Sequence, residues 1–281
     1  MKFISKKLLD LFYIYANIYY VMIYNRKVMK LNELLLTLPA NVFFTSKYLD
    51  KFGITDQMIY HYVHNLKLFK SMSHGVYARI NDNPTWKGLV WALQQTQDIH
   101  VGGMTALEEY GFSHFLRHSD KKRIFLYSSE HSKLPSWVKQ VQRDNTIILL
   151  SDNFLSLKFN VSEKLLDKSI NNELKMSLPE RAILEQLYVC PNKVSLKETY
   201  QMFEMMINNL RPKLMQELLE KCKSIKVKRL FLYLAEENSP SWFKMLDVSK
   251  INLGSGIRNI TKGGEFNSKY KIVVDRDIEN V

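Results

Sequence analysis

Side chains that could do bond-making chemistry are few and scattered in this 281-residue sequence. Asp152 follows an apolar run that reads as a strand, and Glu173 and Lys175 stand two apart in a second extended stretch. An Asp and a Glu-x-Lys on neighbouring strands can hold Mg²⁺ and position a water for phosphodiester cleavage. The same Glu-x-Lys also arises by accident in a Lys-rich chain. His114 and His118 have the i, i+4 spacing of a helical zinc pair, yet no HExxH surrounds them and no third ligand suggests itself. Cys190 and Cys222 have no companion His at an informative spacing and read as buried thiols. There is no GxSxG nucleophile elbow and no GK[ST] phosphate loop. The glycine pairs 254/256 and 263/264 do not sit between a strand and a helix. No cofactor is expected, and the residues point to recognition more than to catalysis.

The recognition chemistry concentrates between residues 45 and 79. A helix is predicted from Asp56 to about Leu66, with Met58, Ile59, Tyr62, Val63 and Leu66 as its apolar stripe. Gln57, Tyr60, His61 and His64 fall on the opposite, polar face. Thr55 is its N-cap, and Thr45 or Ser46 caps a shorter helix that carries Lys47 and ends at Gly53. A leucine-rich helix before Pro39 completes helix, short helix, turn, helix, which is a helix-turn-helix. Strands at 68–72 and 76–80, joined through Ser73-His74-Gly75, add a wing. In a winged helix the third helix enters the major groove, offering Gln57, Tyr60, His61 and His64 to bases or phosphates. Thr45, Ser46 and Thr55 would lie at the same surface, with Lys47, Lys67, Lys70, His74 and Arg79 against the backbone. The polar face is rich in Tyr and His, poor in Lys and Arg, and starts with Asp56. A winged helix that binds protein instead of DNA is the alternative.

The rest of the chain must hold this module. Lys and Arg number 40 against 28 Asp and Glu, a net +12, and residues 1–80 hold 11 basic and 4 acidic side chains, so +7 lies there. A basic domain attracts phosphates, whereas the bland reading is a solvated surface. Two cysteines exclude a disulfide scaffold and fit a reducing, cytoplasmic setting. The apolar run from Leu8 to Tyr24 contains Asp10 and Asn17, is short for a membrane span and lacks a signal-peptidase site. Residues 1–29 read as an appended helix or as sequence upstream of a start at Met29. The expected organisation is α+β: a winged helix-turn-helix domain at 30–81, then a larger mixed α/β domain at 82–281 with a helical C-terminal part. Strands are expected at 122–127, 146–150 and 155–160, and helices at 86–97, 104–110, 178–188, 196–208, 212–223 and 227–237. Lys221, Lys223, Lys226, Lys228 and Arg229 form a second basic cluster, read as a solvated face, a helix-dipole partner or a second phosphate surface.

Several of these segments, in this order, resemble the AbiEi-type antitoxins and transcriptional regulators of type IV toxin–antitoxin systems. The resemblance runs from about Lys30 to the C-terminus. It rests on Thr45-Ser46-Lys47-Tyr48-Leu49, Gly53-Ile54, Gly75-Val76-Tyr77 and His100-Val101-Gly102-Gly103-Met104-Thr105-Ala106-Leu107. Later it rests on Ser177-Leu178-Pro179-Glu180-Arg181-Ala182, Leu210-Arg211-Pro212, Lys226-Val227-Lys228-Arg229-Leu230 and Leu253-Gly254-Ser255-Gly256. The resemblance implies that the winged helix binds operator DNA and represses its own operon, that the larger part carries antitoxin activity, and that the protein is not an enzyme. It also implies a cognate nucleotidyltransferase-like toxin encoded alongside, whose effect is opposed without obligatory direct contact. One winged helix makes few contacts, so self-association on repeated half-sites is expected.

Overall fold

The computed structural model describes residues 29–112, 121–128, 133–142, 145–155, 161–167 and 172–275. The apolar run at 8–24, the His114/His118 pair and most of the strand expected at 155–160 lie outside these residues. No described helix is long and apolar enough to cross a membrane.

The N-terminal module forms as the sequence spacing dictates. Helix α1 (Leu31–Thr37) stops at Leu38, which is extended ahead of Pro39. Strand β1 (Phe44–Thr45) leads into α2 (Ser46–Asp50), whose first turn is capped where Thr45 Oγ accepts from Tyr48 N at 3.1 Å. Gly53 adopts φ +75°, a conformation only glycine takes freely, and lets the chain reverse into α3 (Asp56–His64). Thr55 Oγ caps α3 by accepting from Met58 N at 3.3 Å. The wing is β2 (Phe69–Ser73) and β3 (Val76–Arg79), and the sheet order is β1-β3-β2. Phe44, Phe69 and Tyr62 meet edge to face, with centroids 4.9 and 5.8 Å apart. Leu66, placed inside by its spacing, is instead 45% exposed, because α3 ends at His64.

Helix α4 (Trp86–Gln94) joins the module to the larger domain. Trp91 packs edge to face on Tyr48 at 5.3 Å, and Gly88 O accepts from Phe43 N. It also contacts a five-stranded sheet of order β6-β5-β4-β8-β7. These strands are β4 (Ile99–Val101), β5 (Lys122–Ser128), β6 (Asn145–Ser151), β7 (Val161–Asp167) and β8 (Asn172–Ser177). Strand β5 runs parallel to β6 and antiparallel to β4, while β8 runs parallel to β4 and antiparallel to β7. Helices α5 (Gly103–Glu109) and α6 (Ser136–Val141) connect the strands. Four helices come next: α7 (Pro179–Val189), α8 (Leu196–Met206), α9 (Pro212–Lys221) and α10 (Ile225–Asn238). A small sheet of β9 (Arg258–Asn259), β10 (Glu265–Asn267) and β11 (Ile272–Val274) follows.

Helix α7 is the axis of the larger domain. From Glu180 to Leu187 every residue is buried, including Arg181 and Glu185 at 0% exposure. The Glu185 carboxylate accepts from Arg181 Nε at 2.8 Å, Gly103 N at 2.9 Å and Ser177 Oγ at 2.8 Å, and lies 2.8 Å from His100 Nε2. Arg181 Nη2 reaches Asp152 Oδ2 at 2.8 Å. Strand ends β4, β6 and β8 and the start of α5 therefore converge on two side chains of one helix. A Cβ on Gly102 would lie 2.1 Å from Glu185 Oε2, so only glycine admits the carboxylate here. Burial pushes Glu185 up, but the His100 and Arg181 charges and hydrogen bonds outweigh it and draw its pKa down to about 2. Asp152 moves the other way: burial dominates, because Arg181 is its main partner and its Oδ1 has no hydrogen bond.

Two further ties complete the helical part. Glu180 accepts from Arg211 N, Nε and Nη2 at 3.0, 2.8 and 2.9 Å, anchoring the start of α9. Buried Arg229 donates to the carbonyls of Leu253, Gly254, Gly256 and Lys271, fastening the small sheet to α10. Replacing Glu185 by Gln should cost roughly 3–5 kcal/mol of unfolding free energy in urea at pH 7, since it strands the buried Arg181 cation and takes the carboxylate from His100. The folded pKa lies below the ordinary 4.5. Glu185 therefore stabilises fully above pH 4.5 and progressively less as pH falls towards 2. The gap between wild type and Glu185→Gln should narrow across that window.

Candidate nucleic-acid interface

Capping and packing fix α3 so that its polar face points outward. Ile59 and Tyr62 are buried, whereas Gln57, Tyr60, His61 and His64 are exposed, Tyr60 at 63%. The Tyr60 and His64 rings pair at 4.3 Å between centroids, so two successive turns of the helix present one aromatic ledge. Asp56 starts this helix, and burial, then the Asp56 charge, raises the Tyr77 phenol above its ordinary pKa. Lys67, exposed at φ +51°, marks the turn from α3 towards the wing. Lys47 on α2, Thr55 and His74 at the wing tip are also exposed. The wing tip is tied to α2, because Ser46 N donates to Gly75 O at 3.0 Å.

Other residues expected at this surface are turned to internal work. Thr45 and Ser46 are half-buried, and the Thr45 hydroxyl is the cap of α2. Lys70 is half-buried and its ammonium donates to Asp82 O. Arg79, expected against the DNA backbone, is bound internally in this structure. Its guanidinium donates to Leu35 O at 2.6 Å and to Leu38 O, closing the C-terminal end of α1. The physical reason is that the last carbonyls of α1 need donors, and the guanidinium supplies them.

The wing is not free on its outer side. Ser73 Oγ donates to Gln140 Oε1 of α6, and α6 packs against β2. A cleft of about 310 Å³ remains between wing and larger domain, lined by Phe43, Lys70, Met72, Asn83, Pro84, Thr85, Val141 and Asn145. Nothing in the local sequence announces this contact, because Ser73 and Gln140 are 67 positions apart.

The Mg²⁺ site considered for Asp152, Glu173 and Lys175 is not assembled. Asp152 is buried on Arg181 beyond the end of β6, at one edge of the sheet. Glu173 and Lys175 are exposed on β8, three strands across, and Lys175 Nζ pairs with Asp98 at 3.3 Å. The cluster at 221–229 is likewise divided. Lys226 Nζ donates to Tyr188 O and Cys190 O at the end of α7, and Arg229 is buried in its carbonyl cradle. The helix end that receives Lys226 belongs to α7, not to the preceding α9. Cys190 and Cys222 are buried, and burial raises both thiols, Cys222 to about 11. No group of three or more His, Cys, Asp or Glu able to hold a metal occurs among the described residues.

Arg79→Gln should lower the unfolding free energy by roughly 1–3 kcal/mol, the cost of leaving α1 carbonyls unmet. The same variant should leave the salt dependence of any duplex binding unchanged, which separates its internal role from a phosphate contact.

Comparison with known proteins gives two family matches. Residues 121–275 match the model described as transcriptional regulator, AbiEi antitoxin, type IV TA system. Residues 27–118 match the one described as transcriptional regulator, AbiEi antitoxin N-terminal domain. No curated protein matches in sequence. Among solved structures, the RV2827C protein from Mycobacterium tuberculosis is similar, with a TM-score of 0.54 at 12% identity over 82% of this chain and 85% of that one. That likeness concerns the fold alone.

Proposed function

The chain belongs to the AbiEi antitoxin family of type IV toxin–antitoxin transcriptional regulators, and we propose that it represses its own operon by binding upstream DNA through α3 and the wing. The observation that carries this reading is the outward ledge of Gln57, Tyr60, His61 and His64 beside the β2–β3 wing. Gln57 can bond a base edge in two places, His61 and His64 can each donate or accept, and the Tyr60 ring offers an apolar face to a thymine methyl. Lys47, Lys67 and His74 flank the ledge and supply phosphate contacts. Two copies on repeated half-sites gain by effective concentration what one small surface lacks.

In this reading the larger domain carries the antitoxin activity, and no residue of it acts as a catalyst. The opposed toxin is a nucleotidyltransferase-like protein encoded alongside, and both work in the cytoplasm. Direct contact between the two proteins is not required. The aromatic, cation-poor character of α3 favours one alternative, a winged helix that docks protein.

The test is binding of the purified protein to its upstream duplex and to a scrambled duplex across a salt series. A preference for the upstream duplex near physiological salt, about 0.15 M, supports the reading; equal binding that vanishes with salt overturns it. Gln57→Ala, His61→Ala and His64→Ala should each cost roughly 1–3 kcal/mol on the upstream duplex and little on the scrambled one. Lys67→Ala should weaken both alike and lower the salt slope by about one.

A further inference from the structure

The wing offers little to a phosphate by itself. Lys70 is held by Asp82 O, Arg79 is held by α1, and His74 alone remains exposed at the tip. Yet α6, a helix of the larger domain, packs against β2. The Gln140–Ser73 hydrogen bond puts α6 beside the wing tip, and Val141 and Met72 line the cleft behind it. Lys139, the neighbour of Gln140, is exposed, as is Lys133 just before the helix. No acidic residue occurs between 133 and 142.

We propose that α6 forms the outer edge of the nucleic-acid surface, with Lys139 contacting a backbone phosphate beside the wing. The inference rests on the DNA-binding reading above. It assigns to the larger domain a direct share in that surface. Lys139 takes the place that Lys70 and Arg79 cannot fill, and the Ser73–Gln140 tie holds it in register with α3. Because α6 precedes β6, whose neighbour β5 borders β4 of the buried charge centre, the position of this cation is set by the larger domain's core.

The experiment uses the full-length protein, with fluorescence anisotropy on the upstream and scrambled duplexes over a salt series. Lys139→Ala should lower the salt slope by about one and weaken binding about fivefold at about 0.15 M salt, equally on both duplexes. Lys139→Arg should restore slope and affinity, and neither variant should shift the thermal midpoint. Wild-type slope and affinity in Lys139→Ala would overturn the proposal while leaving α3 as the reader. A lowered midpoint that Lys139→Arg does not restore would show a packing role and overturn it too. If wild type binds neither duplex, the DNA-binding reading fails, and this proposal fails with it.

Discussion

A single carboxylate, Glu185, organises the larger domain. At 0% exposure it accepts from a helix neighbour, a strand hydroxyl and a backbone amide, and meets an imidazole. Such a group is costly to bury and tolerable only when every lone pair is met. The requirement propagates outward. Gly102 must be glycine so that the carboxylate can approach, and Arg181 must be present to balance the charge. Asp152 must then meet the far side of Arg181, which draws in the segment after β6. An apolar core of equal volume could be as stable, but it would not specify which strand ends face which side of α7.

The same logic explains the polar residues in the segments that carry the family resemblance. In Leu178-Pro179-Glu180-Arg181-Ala182, Pro179 starts the helix, Glu180 receives Arg211 and Arg181 serves the buried centre. In Lys226-Val227-Lys228-Arg229, Lys226 closes the end of α7 and Arg229 gathers four carbonyls of the chain's last segments. These are charges used as fasteners between elements far apart in sequence. Their density suits a domain whose helices have short connections and must lock at fixed angles.

Local rules made the winged helix legible. Caps at Thr45 and Thr55, the reversal at Gly53 and the turn at Gly75 each depend on neighbours within a few residues, so spacing alone predicts them. The outward face of α3 obeys helical periodicity and is where the sequence puts it. What spacing does not carry is the destination of a long side chain. Arg79 and Lys70 read as phosphate contacts because they are cations near a wing, but carbonyls 44 and 12 residues away claim them. Asp152, Glu173 and Lys175 fail as a set for the same reason. Strand order, which the sequence does not state, separates β6 from β8 by two strands.

The expected boundary near residue 81 hides a mechanical fact. Trp91 of α4 packs on Tyr48 of α2, while the same helix touches the five-stranded sheet. At the other end of the module, α6 braces β2. Contacts at two separated places resist rotation far better than one flexible linker would, so α3 is oriented by the larger domain as well as by its own module. An exposed helix with few cations gains little from loose electrostatic attraction, so what it can meet depends on the angle at which it is held. That dependence gives the two halves of the chain a reason to be fused. In the proposed regulator, the same two braces set the angle at which α3 is presented.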